Sequence, residues 1–447
     1  MFILPAALAF YRALRVYPSP VELMMIYQKT VPEPIFKIVI ELTNLDVKDR
    51  VEGYYNKFPP QSLGVKVETR MVGDISKKAL VLTKDVQVGE VIYKEFPIVG
   101  ALDSDLQPKG LYCTQCLREV EPSMSIKSPE SPVYEAVYCS QACQSLAKPQ
   151  HHNLLFTLER PLPPQIPLDE ITPEKLEARR KAHTQFADYL KNQAYGHSAP
   201  LLVARFIARQ VASEMNKLIP GSSGIPSSQD YAGADDEEYL LADHIERLRY
   251  VEITPPQEEL KLITAVLDTV LPGLDSLVTE ERYSTLLGKM AYNAFGVYYD
   301  GARDDKPAPT ARPEDIERTR TPMGTSRQIG SAVYTVSSYL AHSCDPNARP
   351  SFNAGNSQLH LIANRDLKAG EELTVAYVDV AQRQDESVEE CRRRRRMELA
   401  RGWKFACPCE RCEREGTTVG SEDEENIGDE SRVEKNMQRF ESNEGPL

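Results

Sequence analysis

YLAHSCDPN, residues 339–347, is the stretch of this sequence that decides the fold. Two further stretches follow it in order, GEELTVAY at residues 370–377 and GWKFACPCERC at residues 402–412. The last stretch holds three cysteines at C-x-C-x2-C spacing, which supply three thiolates. A closed tetrahedral zinc site takes four ligands, so this cluster needs a fourth from elsewhere in the chain.

A second group of cysteines lies upstream, where Cys113 and Cys116 are followed by Cys139 and Cys143. A C-x2-C turn places two thiolates on one side of a metal, and a second pair completes an S4 site that selects zinc. Four buried free cysteines are the alternative, and this spacing disfavours it. Because the sequence shows no clear secretion signal, the clusters indicate metal sites rather than disulfides, and a reducing compartment.

The pattern of apolar residues changes several times along the chain. Proline before apolar-periodic runs predicts helices over residues 18–45, and short alternating runs predict strands over residues 65–99. The pattern predicts mainly helices over residues 165–300. Two polar breaks, at residues 220–238 and 301–326, are interpreted as surface loops.

Composition limits the classes of partner. The 447 residues carry a net charge of -13, and residues 413–447 contain 11 acidic and 4 basic residues. That balance argues against direct nucleic-acid binding and suits a basic protein or peptide. No apolar run reaches the roughly 18 residues that span a bilayer, so no membrane partner is expected. The apolar start, MFILPAALAF, is interpreted as a buried helix.

The motifs together resemble the SET–MYND family of protein-lysine methyltransferases, especially its fungal SET domain protein 5 type. Residues 339–347 are similar to the first SET motif, residues 370–377 to the second, and residues 402–412 to the post-SET segment. LLGKMAYNAFGVY, residues 286–298, resembles the end of the helical insert in this family, and VYCSQAC, residues 137–143, resembles the MYND finger.

The resemblance implies an α+β fold. Small twisted sheets form the SET domain, interrupted by a MYND-like finger and a helical insert and closed by a post-SET zinc segment. We expect a helical N-terminal extension (1–60), the SET N-terminal part (61–109), a reduced MYND-like zinc finger (110–156), the helical insert (157–300), a flexible loop (301–326), the SET C-terminal core (327–380), the post-SET segment (381–412) and a disordered acidic tail (413–447).

The resemblance also nominates metal ligands. Cys344 becomes the fourth ligand of the cluster formed by Cys407, Cys409 and Cys412, so that two zinc ions are expected. Residues 117–138 lack the additional cysteines of a full MYND finger, which supports one zinc there. His151 and His152 are interpreted as surface or helix-capping residues rather than ligands, and Cys391 as a half-buried thiol.

For the reaction, the resemblance implies S-adenosylmethionine (SAM) as methyl donor and a lysine of a protein, a histone tail above all, as acceptor. It assigns the catalytic role to Tyr377, for which a half-buried strand tyrosine is the alternative. The implied cofactor contacts are Lys78, Asn293, Ala341, His342, Trp403 and Phe405; Trp403 is equally well read as a core aromatic. The nucleus or the cytoplasm is the expected location.

Two motifs depart from the family pattern, at three positions. Lys77 and Ala79 stand where the first SET strand has glycines, and Ala341 replaces an asparagine that hydrogen-bonds SAM. Losing one polar contact costs about 1–3 kcal/mol. The rival hypothesis is therefore a weak or inactive SET-fold module that binds basic partners. The run of residues 392–396, five arginines, is interpreted as a solvated helix face rather than a nuclear localisation signal.

Overall fold

The computed structural model describes residues 3–16, 20–72, 75–127, 134–158, 172–193, 197–217, 241–271, 278–306 and 316–417. The chain divides into two compact units, Met1–Ser62 and Leu63–Leu447. The predicted surface break at 220–238 lies outside the described residues, as does the acidic tail beyond residue 417. Among the described residues, no helix combines the length and apolarity that crossing a bilayer requires.

The N-terminal unit consists of helices α1 (Ile3–Val16), α2 (Pro20–Thr30) and α3 (Glu33–Lys57). Proline precedes the first turn of α3, where its fixed φ favours helix entry and its missing N–H costs nothing. The helices pack around one small apolar cluster, formed by Ala7, Leu14, Tyr27, Val31 and Val39. Helix α1, predicted to be buried, exposes Ile3, Leu4 and Leu8, so that prediction is wrong for these residues.

The second unit carries several small sheets together with helices, which confirms the α+β prediction. Strands β1 and β2 form an antiparallel hairpin. The three-stranded sheets have the orders β10-β11-β3 and β4-β8-β7. The strands are β1 (Val65–Val72), β2 (Ile75–Leu82), β3 (Val91–Glu95), β4 (Val99–Leu102), β5 (Ile126–Lys127), β6 (Val137–Tyr138), β7 (Phe295–Val297), β8 (Gly330–Val333), β9 (Ala341–His342), β10 (Ala348–Ser351), β11 (Leu359–Ala363) and β12 (Thr374–Val375).

Two turns of similar sequence, residues 85–90 and 366–371, lie side by side. The N–H of Val86 donates to the carbonyl of Leu367 at 3.0 Å, and the N–H of Leu367 donates back at 2.8 Å. Gly89 and Gly370 both take positive φ, which glycine adopts without steric penalty. The turns therefore join the first part of the strand core to the last.

Helices fill the region between these two parts of the core. Thr172 and Thr279 cap two of them by accepting hydrogen bonds from backbone N–H groups of the first turn. The helices are α4 (Gln141–Ala147), α5 (Asn153–Leu155), α6 (Pro173–Lys191), α7 (Ala199–Lys217), α8 (Leu241–Glu246), α9 (Gln257–Val270) and α10 (Glu280–Asn293).

The segment 301–326, predicted as a surface loop, contains buried residues in both of its described parts, 301–306 and 316–326. Arg303 pairs with Asp105 at 2.7 Å, and its side chain is almost fully buried. Arg320 is fully buried and donates to three backbone carbonyls and to Asn293. The polar composition is that of a loop, but partners inside the fold satisfy these cations, so the prediction is wrong for these residues.

The C-terminal part begins with helix α11 (Val388–Trp403), whose first turn is closed by a capping box between Ser387 and Glu390. Lys404 ends it in the left-handed region. Helix α12 spans Glu410–Thr417. The predicted tail from residue 413 is thus helical over its first residues, because Glu415 forms ion pairs.

Gly288 provides a test of how closely helix α10 packs against the backbone of Val251. A Cβ at this position of α10 would lie 2.0 Å from the carbonyl oxygen of Val251. We expect Gly288→Ala to lower the free energy of unfolding by about 1–3 kcal/mol, measured by urea denaturation. Ser284→Ala, one turn earlier on the same helix, is the control and should change stability by less than about 0.5 kcal/mol. Equal stabilities of the two variants would contradict the packing.

Candidate active site and metal centres

The strand that leads to Tyr377 lies alongside the motif at 339–347, and we call this meeting of the two segments the crossing. Strands β9 and β12 pair in parallel, with Ala341 opposite Thr374 and His342 opposite Val375. The side chain of Asn347 holds the crossing, since it donates to the carbonyl of Glu372 and accepts from the N–H of Thr374, each at 2.8 Å. Residues far apart in sequence thereby meet at one point.

Tyr377 lies just beyond this crossing and is held by all of its polar groups. Its hydroxyl donates to the carbonyl of Leu340. Its N–H donates to Nδ1 of His342 at 3.1 Å, and its carbonyl accepts from the N–H of Thr321 at 3.1 Å. The side chain is only 4% exposed. The half-buried strand tyrosine of the alternative reading does not match this degree of fixation.

Four of the predicted site residues form one aromatic group. The ring centroid of Tyr377 lies 5.4 Å from that of His342, 5.3 Å from Trp403 and 6.4 Å from Phe405. His342 and Phe405 are half-buried, whereas Trp403 is buried and donates from Nε1 to the carbonyl of Tyr292 at 3.0 Å. Trp403 therefore supports the group from the core side, and His342 and Phe405 offer faces to a ligand.

Three other predicted residues stand apart from these rings to different degrees. Ala341 is half-buried next to His342. Lys78 is exposed on the β1–β2 hairpin, where its Nζ donates to Thr69 Oγ1 at 2.8 Å. Asn293 is buried, and its amide donates to two backbone carbonyls while its oxygen accepts from Arg320. Asn293 thus reaches the rings only through Arg320.

The cluster of Cys344, Cys407, Cys409 and Cys412 lies directly beside the aromatic group. Its four sulfurs all lie within 4.8 Å of one another. The Sγ of Cys344 is 3.5 Å from that of Cys412 and 3.9 Å from that of Cys407. A tetrahedral zinc with Zn–S bonds of about 2.3 Å separates its sulfurs by about 3.8 Å. The donor set and its spacing fit one zinc ion.

The arginine run is not the solvated helix face that the sequence indicated. Arg392 donates to the carbonyl of Cys412 at 2.9 Å, and Arg396 donates to the carbonyl of Cys407 at 3.3 Å. Arg395 is fully buried and pairs with Glu415. The composition was misleading because the partners of these arginines lie in the cysteine segment after the helix. Backbone carbonyls of that segment accept from Arg392 and Arg396, and a carboxylate just beyond it pairs with Arg395.

His342 connects the cysteine cluster to Tyr377. Burial lowers the pKa of His342 to about 4, so the ring is neutral at physiological pH. Since Nδ1 accepts from Tyr377, the proton resides on Nε2, which lies 3.3 Å from the Sγ of Cys344. Burial also raises the pKa of Tyr377 to about 12, against the opposing effect of Arg320, so its hydroxyl keeps its proton.

The upstream cysteines form the second four-sulfur group. The Sγ of Cys139 is 3.6 Å from those of Cys116 and Cys143, and Cys113 completes the set. Ser140 caps α4 by accepting from the N–H of Cys143, which fixes that ligand at a helix start. The described residues of this finger thus fit one zinc ion, as its reduced spacing predicted.

His151 and His152 are buried, so their prediction as surface residues is wrong. They lie in a π-helical turn, Lys148–His152, that continues α4. His152 contacts the rings of Tyr138 and Phe156, which explains its burial. Nε2 of His151 lies 3.1 Å from the side-chain oxygen of Gln115.

Two buried charges near the site were missed by the sequence analysis. Glu95 accepts hydrogen bonds from Thr335, Val336 and Ser337, and so fixes the turn just before the motif. The signal in the sequence was weak: Glu95 lies two residues after the buried Tyr93, on the same face of β3. Arg320 stands in a polar loop, where nothing in the sequence marks it.

Comparisons with known proteins give matches over most of the chain. The SET domain family model matches residues 77–378. The protein-lysine N-trimethyltransferase SMYD5 of Mus musculus is 26% identical over 408 residues, covering 80% of this chain and 89% of that protein. The histone-lysine N-methyltransferase ATXR4 of Arabidopsis thaliana is 22% identical over 387 residues, covering 86% and 94%.

Two further matches cover shorter stretches. The histone-lysine N-methyltransferase SET5 of Meyerozyma guilliermondii is 32% identical over 152 residues, which is 33% of this chain and 28% of that protein. A second family model, described as MAS20 protein import receptor, matches residues 2–56. This stretch coincides with most of the N-terminal three-helix unit.

Metal analysis tests the two cysteine groups. We expect the full chain to bind about two zinc ions and Cys344→Ser to retain about one, since a four-ligand site loses most of its affinity with a thiolate. Hydrogen exchange of residues 404–417 should accelerate in the same variant. Cys391→Ser is the matched control, because Cys391 is also buried but lies outside both groups. Two zinc ions in Cys344→Ser would contradict the assignment.

Proposed function

The chain belongs to the SET domain family of protein-lysine methyltransferases, and we propose that its reaction takes place at the hydroxyl of Tyr377. The observation that carries the proposal is the fixation of this tyrosine beside two half-buried aromatic faces and a four-cysteine group. Its hydroxyl lies where the first SET motif, the second motif and the post-SET segment meet.

The hydrogen bond from Tyr377 to Leu340 decides what the hydroxyl can do. The single proton is given to the carbonyl, so only lone pairs remain to face a substrate. Such an oxygen accepts a hydrogen bond from a lysine amine and orients its lone pair for attack. Because the pKa of Tyr377 is raised to about 12, the hydroxyl is unsuited to act as a base at neutral pH.

SAM, when bound, supplies the electrophilic methyl group, and the protein supplies position. We propose that Phe405 and His342 receive the adenine, since their half-buried rings offer apolar faces at the edge of the site. Lys78 and Ala341 are proposed at the methionine end. Lys77, which replaces a glycine, forms an ion pair with Glu372 at 2.8 Å, so this departure has a structural partner.

Zinc at the C-terminal group would hold the post-SET segment against the rings. Cys344 belongs to the first SET motif, while the other three ligands follow α11. Metal binding would thereby order Phe405, which lies two residues before Cys407, without requiring additional apolar core. The role proposed for this zinc is structural, because four thiolates leave no open coordination position.

The proposed substrate is a lysine on a basic protein. Relatives with the names histone-lysine N-methyltransferase and protein-lysine N-trimethyltransferase support a histone tail as the first candidate. The excess of acidic residues in the chain also favours a basic partner. Such a substrate places the protein in the nucleus or the cytoplasm.

The alternative is a SET-fold module that binds basic partners and transfers methyl groups weakly or not at all. Ala341 and the absence of glycines at positions 77 and 79 favour it. The fixation of Tyr377 favours the enzyme, since a binding module has no need of a fully hydrogen-bonded tyrosine at this position.

Calorimetric titration of the full chain with SAM distinguishes the enzyme from the inactive binding module. We expect saturable heat, and methyl transfer from labelled SAM to core histones. Absence of both heat and thermal stabilisation at millimolar SAM would defeat the enzyme proposal and support the module.

Tyr377→Phe tests the role of the hydroxyl. We expect kcat to fall at least about tenfold, since one oriented contact in the transition state is worth about 1.4 kcal/mol or more. SAM affinity should stay within about twofold of the wild type. Tyr250→Phe, at an exposed tyrosine, is the control and should leave rate and product unchanged. An unchanged rate and methylation state in Tyr377→Phe would refute the proposal.

The N-terminal unit supports a second function, because it matches the model described as MAS20 protein import receptor. A receptor of that kind binds other proteins, and we propose that this unit binds an apolar segment of a client protein. The unit exposes large apolar side chains on all three helices: Ile3, Leu4, Leu8, Met25, Ile26, Ile40, Leu45 and Val47.

Binding of a fluorescent amphipathic helical peptide to the full chain tests this second function. The double substitution Met25→Glu and Ile26→Glu should weaken binding at least about tenfold, since it removes two apolar contacts worth about 1 kcal/mol or more each. Lys37→Glu, at an exposed polar position of α3, is the control for added negative charge. Equal affinities of the two variants, or no binding by the wild type, would contradict the proposal.

A further inference from the structure

Arg320 lies directly behind the ring of Tyr377. Its guanidinium carbon is 4.3 Å from the centroid of that ring, and 5.3 Å and 5.5 Å from those of Phe295 and Tyr292. The residue is fully buried. A cation at this distance from an aromatic face is attracted by the ring quadrupole, most strongly when water is absent.

The position of the guanidinium is fixed on every side. Nη1 donates to the carbonyls of Ser337 and Ser338 at 3.3 Å and 3.2 Å, Nη2 donates to Asn293 at 3.1 Å, and Nε donates to the carbonyl of Tyr292 at 3.2 Å. The neighbouring N–H of Thr321 holds the carbonyl of Tyr377. This segment therefore supports the tyrosine through both its backbone and its side chain.

No carboxylate among the described residues forms an ion pair with this cation, and its hydrogen-bond acceptors are neutral. Buried charges are normally paired, because burial without a counter-charge is costly. The carboxylate that acts on Tyr377 electrostatically is Glu372, which pairs with Lys77. The other charged or titratable groups facing Tyr377 and Arg320 are Arg249, Tyr292 and His342.

We propose that Arg320 is a positioning residue of the methyl-transfer site, which fixes the ring of Tyr377 and supplies a permanent positive charge that favours the neutral form of the substrate amine. The inference rests on the proposed function, in which a lysine amine meets the hydroxyl of Tyr377. A lysine ammonium is an unreactive form that must first lose a proton, since its ordinary pKa is about 10.4.

The charge balance of the reaction explains why such a cation helps. The ammonium releases its proton to solvent; the amine lone pair then forms the N–C bond, while the C–S bond breaks and leaves its electron pair on sulfur. Losing the proton removes a full positive charge from the neighbourhood of Arg320, whereas the transition state returns only part of a charge to nitrogen. The cation therefore accelerates transfer at pH values where the ammonium predominates, and slightly slows it where the amine is already neutral.

The test is the pH dependence of kcat at saturating SAM and histone-tail peptide, between pH 6.5 and 9.5, for wild type, Arg320→Met and Arg320→Lys, because kcat reports the protonation of the bound amine. We expect Arg320→Met to be about tenfold slower at pH 7 and to approach the wild-type rate at the alkaline end, because the apparent pKa rises by about one unit. Arg320→Lys keeps the charge but loses hydrogen bonds, so its profile should be lower with an unshifted pKa. Arg327→Met, at a surface arginine, is the control.

A peptide with thialysine in place of lysine, whose amine is less basic, adds a second readout. The factor by which Arg320→Met is slower than the wild type at pH 7 should be smaller with this peptide. If Arg320→Met is slower than the wild type by the same factor at all pH values and with both peptides, the inference is overturned and only a structural role remains. If Arg320→Met does not fold, a pKa shift in Arg320→Lys as large as one unit would overturn it. Wild-type protein that transfers no methyl group would defeat the proposed function itself, and this inference with it.

Discussion

The short parallel pairing of β9 with β12 is the constraint on which the site depends. Two residue pairs, Ala341 with Thr374 and His342 with Val375, place the first SET motif beside the strand that ends in Tyr377. So short a ladder has little stability of its own. Its support comes from buried polar groups: the Asn347 amide on one side and the Glu95 carboxylate under the preceding turn. Because such groups are costly to leave unpaired, they allow only one arrangement of the crossing.

The cysteine group extends that arrangement to the C-terminal segment. Cys344 comes from the crossing and the other three cysteines from the segment after α11, so one metal ion would connect them. His342 lies between this group and Tyr377 and contacts both. The arginines of α11 fix the carbonyls of the same segment. The cysteine group and Tyr377 are therefore joined by one neutral imidazole.

The sequence predicted the fold class, both cysteine groups and the meeting of His342, Tyr377, Trp403 and Phe405, because each is encoded in local spacing or in a motif. It failed where partners are distant. The arginine run has the composition of a solvated face, but the carbonyls of residues 407 and 412 accept hydrogen bonds from it. Arg320 has the surroundings of a loop residue in the sequence, but it contacts the ring of Tyr377 in the structure. His151 and His152 were misplaced because their partners, Gln115 and Tyr138, lie more than ten residues upstream. No local pattern carries that information.

The contact between the two turns at residues 85–90 and 366–371 also has a consequence for synthesis. These turns are separated by about 280 residues of finger, insert and loop, yet each satisfies the backbone of the other. Strands made early on the ribosome must therefore wait, without their partners, until nearly the whole chain has emerged. The helices of the insert contact one another and the π-helical turn of the finger, so this part of the chain can begin to fold during that interval. Mutations in the late turn should thus reduce the yield of native protein in cells more than they reduce the stability of protein that has already folded.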